Sequence, residues 1–265
     1  MKLYGLVTPS HEILLEQWLL PTLKDPYEIR IQSSPQIGQP EQHLYGSREF
    51  NQTTLVKVDL IIRAVQENMG TLFLFTDMDI QFFQETGKLL RRLMRRKDLL
   101  FQRDSPSGIP CTGFFCCRGS PETLRFWQQV RKSMERCPEK DDQQTVNELL
   151  LLGRIPPGRE HSGWKIFHWF LWRKNIAGER LRRSIRFMLR LKNPYRFRWG
   201  FLPKEFFGGG TLTGKSWEPG LLLPVPKKIV LHHANWTVGV ENKLAQLAYV
   251  RSVVANRRSQ NLQPN

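Results

Sequence analysis

A single α/β domain built on a mostly parallel central sheet is what this sequence predicts, on three observations. Strand-like and helix-like segments alternate along most of the chain, the order expected of helices packed on a central sheet. The apolar run "TLFLF" (71–75) stops abruptly at "TDMD", as a buried strand does at the carboxyl edge of an open sheet, where such sheets take ligands. Finally, 265 residues, 40% hydrophobic with 16 Phe and 8 Trp, suffice to enclose a sizeable core.

The elements follow in order. "KLYGLV" (2–7) reads as a short buried strand ending at Thr8-Pro9. "SHEILLEQWLLPTL" (10–23) has apolar positions at helical spacing, with Ser10 as N-cap. "YEIRIQ" (27–32) alternates like a strand, and the polar Gly/Pro/Gln-rich stretch 33–52 reads as a loop. "TTLVKVDLIIRAVQEN" (53–68) puts Leu55, Val58, Ile62 and Val65 on one helical face and ends at Gly70. After the run at 71–75, "KDLLFQRD" (97–104) and "CTGFFCCRG" (111–119) are further strands. "SPETLRFWQQVRKSMER" (120–136) is a helix with Ser120 as N-cap and Pro121 at its first position. "DDQQTVNELLLLG" (141–153) is another, with Asp142 as an N-cap candidate. A basic, aromatic insertion occupies about 153–200. "KKIVLHHANW" (227–236) is a late strand, and "VENKLAQLAYVRSVVAN" (240–256) closes a domain spanning 1–256. The tail 257–265 reads as disordered.

Charge speaks about partners rather than fold. The net charge is +16, from 40 basic against 24 acidic residues, which suits phosphorylated ligands, an anionic surface or nucleic acid. "LLRRLMRRK" (89–97) holds one basic cluster, and Arg173 to Arg198 holds ten basic residues against the single acid Glu179. The four cysteines (Cys111, Cys116, Cys117, Cys137) form no CxxC pair, so they read as reduced thiols of a cytoplasmic protein and not as a zinc site. "MKLYGLVTPS" is too short and too early broken by Pro9 to be a signal peptide, and no run of about 18 apolar residues exists to span a membrane.

Two stretches carry chemistry. "GGGTLTGKS" (208–216) matches a phosphate-binding loop from Gly209 to Ser216. Its context is poor: Pro203 interrupts the strand that should precede it, and Pro219 stands where a helix should be under way. The second stretch is "FLFTDMD". Asp77 and Asp79 share one side of an extended segment at a sheet edge, and two such hard oxygen ligands suit Mn²⁺ or Mg²⁺ bridging to a diphosphate. The ordinary alternative is a strand-end aspartate capping the next helix.

Five stretches in register tip the balance: Lys57, "LFTDMDIQFF", "CTGFFCCRG", "DDQQTVNELL" and "HHANWTVGVENK". In that order they resemble the nucleotide-diphospho-sugar transferases of GT-A fold, in particular the plant rhamnogalacturonan xylosyltransferase-like group and its bacterial relatives. The resemblance covers about 54–152 and 227–250. It departs at Cys111 or Thr112, where an asparagine is usual, and it has no counterpart for 153–200. It implies a Rossmann-like GT-A domain in which Asp79 ligates a metal and Asp77 binds the ribose, the metal or both. It implies that His233, with His232 as the alternative, completes the metal site and that Lys243 holds the diphosphate. Lys57 and Gly113 would face the nucleotide-sugar, Thr8 the base, and Asp142 and Gln143 the sugar and acceptor. The activity implied is transfer of a sugar from a nucleotide-diphosphate donor, UDP by default, to a glycan or lipid-linked acceptor with retention of configuration.

Each role has a plainer competitor. His232 and His233 alternate faces, so at least one is structural, and Lys243 alone would pass for a solvated helix charge. The segment 164–198, aromatic and basic, reads as an interfacial stretch for peripheral contact with an anionic membrane. A basic nucleic-acid-binding protein without catalysis is the reading from a different class, though no recognition motif for it is present and no nucleic acid is expected. An ATP-binding protein using Gly209–Ser216 is the third.

Overall fold

The computed structural model describes residues 1–34, 47–104, 109–152, 195–209 and 216–260. Six strands form the central sheet: β1 (Lys2–Val7), β2 (Glu28–Ser33), β3 (Leu72–Thr76), β5 (Leu99–Arg103), β6 (Pro110–Arg118) and β7 (Trp199–Phe201). Their order is β2-β1-β3-β6-β5-β7. Only β6 is reversed, pairing antiparallel with both β3 and β5, and the other pairings are parallel. The mostly parallel α/β architecture expected from the sequence is the one observed. A second sheet, β4-β9-β8, is made of β4 (Ile80–Phe82), β8 (Phe206–Gly208) and β9 (Leu231–His233).

The central strands are buried on both faces, so alternate residues feed two cores. On one side Phe73, Phe75 and Phe115 meet Val58, Ile61, Ala64 and Val65 of α3 (Arg48–Glu67) and Phe126, Trp127 and Val130 of α5 (Pro121–Arg136). On the other, Leu74, Phe114 and Cys116 meet Met78, Leu231 of β9 and Leu247 of α7 (Val240–Gln260). α5 starts as expected, with Ser120 and Thr123 capping each other reciprocally.

Four departures have local causes. The segment 9–22 is helical but broken: a 3₁₀ turn, α1 (Glu12–Leu14), a π-helical turn (Leu15–Leu19) and α2 (Leu20–Thr22). Thr8, not Ser10, stands at its N-cap. α3 begins at Arg48, inside the expected loop, because the Ser47 hydroxyl accepts the Phe50 N–H at 3.1 Å. The last residues of the stretch expected as an insertion join the core: Tyr195 and Phe197 pack on Phe126, and Trp199 opens β7. In "YRFRW" the aromatics are the strand-period residues and the arginines alternate with them, so the stretch belongs to the core. α7 runs on to Gln260, past the expected start of the tail, where the Arg257 guanidinium donates to the carbonyls of Val225 and Pro226. Most of 153–200, with "WKIFHWFLW", lies outside the described residues, as does 261–265. α4 (Gly87–Leu93) and the 3₁₀ turn after it expose Arg91, Arg92, Arg95 and Arg96, the first basic cluster.

Phe115 is the hub of the first core, with ring centroids 5.3 Å from Phe75, 5.6 Å from Phe101 and 5.2 Å from Trp127. Phe115→Ala is expected to lower the free energy of unfolding by about 3–5 kcal/mol, read from urea denaturation.

Candidate functional site

The site gathers at the carboxyl edge of the central sheet. β1 and β3 both end there, β5 delivers Gln102 and Asp104, and the reversed β6 brings its first residues to the same edge. The turn after β3 is held from both sides: the Asp77 N–H donates to the Gly113 carbonyl at 2.6 Å, and the Asp79 carbonyl accepts the Ala234 N–H at 2.9 Å. Met78, between them, is buried in the second core. The two acids are therefore fixed by backbone and packing, not only by their own side chains.

Strand register decides which histidine joins them. β4 pairs with β9 so that Ile80 faces His233 and Gln81 faces His232. Asp79, immediately before Ile80, thus lies beside His233, and its Oδ1 is 3.2 Å from His233 Nε2. A one-residue slip would exchange the two rings. His232 points the other way: its ring stacks on Phe207, and its Nδ1 lies 3.2 Å from Gln81 Nε2. Complete burial, then the charge of His233, depress its pKa to about 3. His232 is a core residue. Asp77, Asp79 and His233 each offer one ligand atom, all within 4.8 Å of one another.

The second contacts of the cluster are equally ordered. Gln102 donates its amide N–H to the Phe206 carbonyl, which turns its Oε1 toward His233 Nδ1 at 2.8 Å. An acceptor there claims the Nδ1 hydrogen and leaves Nε2 as the ligating nitrogen. Lys243, in the first turn of α7, sets its ammonium against Asp79 Oδ2. Burial alone would raise the Asp79 pKa, but Lys243 and then His233 hold it well below the usual carboxylate range. A Cβ on Gly113 would overlap both the His233 ring and the Asp77 carboxylate, so the sheet leaves room at this strand position for glycine alone. Two carboxylates and an imidazole drawn together beside it are a donor set that suits a small divalent cation.

Lys57 binds the cluster to the helices. Its ammonium lies 3.1 Å from Asp77 Oδ1 and 3.1 Å from Asp142 Oδ2. Burial pulls the lysine pKa down, but Asp142 and Asp77 more than reverse this and hold it above the ordinary lysine value. Adjacent aspartates divide the work. Asp141 is the N-cap of α6 (Asp142–Asn147), accepting the Gln144 N–H at 2.6 Å, and this leaves Asp142 for Lys57. The cap expected at Asp142 therefore lies one residue earlier. Gln143 Oε1 accepts the Thr112 N–H at 3.3 Å. Thr8 is at the same sheet edge but apart from the acids, its hydroxyl 2.9 Å from His11 Nδ1.

A group that sequence reasoning missed completes the ring. Asp104, 3% exposed, accepts at Oδ1 from Asn235 Nδ2 at 3.0 Å and from Trp236 Nε1 at 2.8 Å. Burial raises its pKa, with hydrogen bonds from Trp236, Asn235 and Gln143 opposing. The visible signal was an acid ending a strand at the ligand-binding edge, as Asp77 does. The phosphate-loop reading meets a further obstacle: β8 does lead into Gly209, but no helix opens at Ser216, and 216–226 are irregular. Lys215 lies outside the described residues.

Asp77, Asp79 and His233 thus form a cluster able to hold a metal ion at the ligand-binding edge of an α/β sheet. The sequence matches the nucleotide-diphospho-sugar transferase family over residues 24–247, and the chain belongs to that family of glycosyltransferases. Similar solved structures include a glycosyltransferase involved in the glycosylation of the major capsid of PBCV-1, at 10% identity over 95% of this chain and 100% of that one, TM-score 0.46. Another is the glycosyltransferase GlyE of Streptococcus pneumoniae TIGR4, at 12% identity over 99% of this chain and 65% of that one, TM-score 0.44. No curated protein matches the sequence. Among the described residues no helix is long and apolar enough to cross a membrane.

Removing Lys57 leaves two carboxylates, one of them buried, facing each other without a counter-charge. Lys57→Met is expected to cost about 3–5 kcal/mol of stability, with Lys57→Met/Asp142→Asn regaining a large part, measured by chemical denaturation of both variants.

Proposed function

We propose that this chain moves a sugar from a nucleotide-diphosphate donor, UDP-linked by default, to a glycan or lipid-linked acceptor, with Mn²⁺ or Mg²⁺ held by Asp77, Asp79 and His233. The observation that carries this reading is the convergence of those three side chains, packed so closely over β6 that only glycine fits at 113. When bound, the cation would neutralise the diphosphate and ease its departure as a Lewis acid.

The chain's own residues supply the rest. Lys243 and the N-terminal turn of α7 lie beside Asp79, where an ammonium and free backbone N–H groups stabilise diphosphate charge. The Lys243 ammonium, which rests on Asp79, is the chain's own cation in reach of the leaving diphosphate. Lys57 pairs with and orients both Asp77 and Asp142, so that Asp77 would present its outer oxygen to the cation or the ribose while Asp142 meets the donor sugar. Gln143 stands next to Asp142 on the acceptor side, and Thr8 is placed for the base. A transferase that inverts configuration needs a carboxylate base beside the acceptor. Asp142 is buried and committed to Lys57, which supports the retaining reading.

Calorimetric titration of UDP, with and without Mn²⁺, tests the proposal. UDP is expected to bind only with the metal, to resist competition by ATP, and to lose more than about 100-fold in affinity in Asp79→Ala. ATP binding that ignores Asp79→Ala but vanishes in Lys215→Ala would return the site to the glycine-rich stretch.

A further inference from the structure

Trp236 has features that donor and metal binding leave unused. Three residues past His233, its backbone sits at φ 56°, in the left-handed region that bulky residues rarely enter. Core packing does not explain the conformation, because the residue is 43% exposed. Its polar atoms are nonetheless clamped: Nε1–H donates to the buried Asp104 carboxylate, and its carbonyl accepts the Trp217 N–H at 2.8 Å. The neighbouring Asn235 amide secures the same Asp104 oxygen. A large flat ring is thus held rigid at the rim of the site, strained in its backbone and open to solvent. Strain maintained in this way marks a functional position.

A fixed, half-exposed indole whose N–H is already bonded within the protein offers a ligand its ring face, and this suits one class of ligand. The apolar C–H face of a pyranose packs on the ring while its hydroxyls find polar partners around it. Among the described residues, neither Trp236 nor Asp104 hydrogen-bonds to Asp77, Asp79, His233, Lys57 or Lys243, the groups assigned to donor and metal. Asp104 lies between the charge of His233 on one side and the Gln143 amide, assigned to the acceptor, on the other. We propose that Trp236 is the stacking platform of the acceptor subsite, taking the pyranose that receives the transferred sugar, and that Asp104 is the positioning residue that fixes the plane of the indole. The word acceptor rests on the transfer reaction proposed above; the carbohydrate site itself does not.

The wild type, Trp236→Gly, Trp236→Phe and Asp104→Asn are titrated with a panel of methyl α- and β-glycosides of common pyranoses, followed by saturation-transfer NMR. UDP with Mn²⁺ is titrated in parallel. At least one glycoside should bind the wild type and weaken about tenfold or more in Trp236→Gly, with partial recovery in Trp236→Phe and a smaller loss in Asp104→Asn. UDP affinity should stay within about twofold in both Trp236 variants. Trp236→Gly relieves the left-handed backbone but takes one donor from buried Asp104, so it should remain folded with UDP affinity retained, which separates loss of the platform from loss of the fold. Equal glycoside binding in Trp236→Gly, or no glycoside bound by the wild type, would overturn the proposal whatever UDP does. A parallel fall in UDP affinity would overturn the acceptor assignment. Trp236-dependent glycoside binding in a chain that ignores UDP would leave the carbohydrate site standing and sink the transferase reading instead.

Discussion

The three residues from Asp77 to Asp79 hand the chain from one sheet to the other, and the site depends on how they are held. One peptide group is tied to β6 and another to the segment after β9, with Met78 sunk between them in a core shared by both sheets. From that fixed point the rest follows geometrically. The pairing of β4 on β9 selects His233, the reversal of β6 brings in Gly113, and α3 crosses above with Lys57. Each contributing element is anchored by its own hydrophobic contacts, so the polar groups meet without having to hold the fold together.

Their electrostatics follows the same division. Buried ion pairs are poor stabilisers, because desolvation offsets most of their attraction. Lys57 between two carboxylates, and Asp79 between an ammonium and an imidazole, are better understood as devices that aim charged groups in a place with little water. The adjacent aspartates make the point economically. Asp141 satisfies a helix end, a local need, and so frees Asp142 for a long-range one.

Much of this was legible in the sequence where the signal was local. The first strand was read at its observed bounds, the run ending at Asp77 and Asp79 was read as a strand meeting a ligand edge, and Ser120-Pro121 announced α5. What escaped was set by pairing at a distance. The choice between His232 and His233 hangs on a register with residues some 150 positions away, which alternation alone leaves open. Asp104 gains meaning only from Trp236, more than a hundred residues later. "YRFRW" was counted by its arginines when its aromatics were the informative half. The start of α3 was hidden because a single serine cap lies in a polar stretch that otherwise resembles a loop.

The triangle of Lys57, Asp77 and Asp142 also constrains descent. Its corners come from a helix interior, a strand end and a second helix, and two of the three are buried. A lineage that loses Lys57 alone passes through a chain with two unmatched carboxylates, one of them buried, whereas loss of either aspartate leaves Lys57 paired with the other. Lys57 should therefore be the corner held longest, and divergence in donor or acceptor preference should accumulate instead at half-open neighbours such as Gln143, where a substitution leaves the charge balance intact.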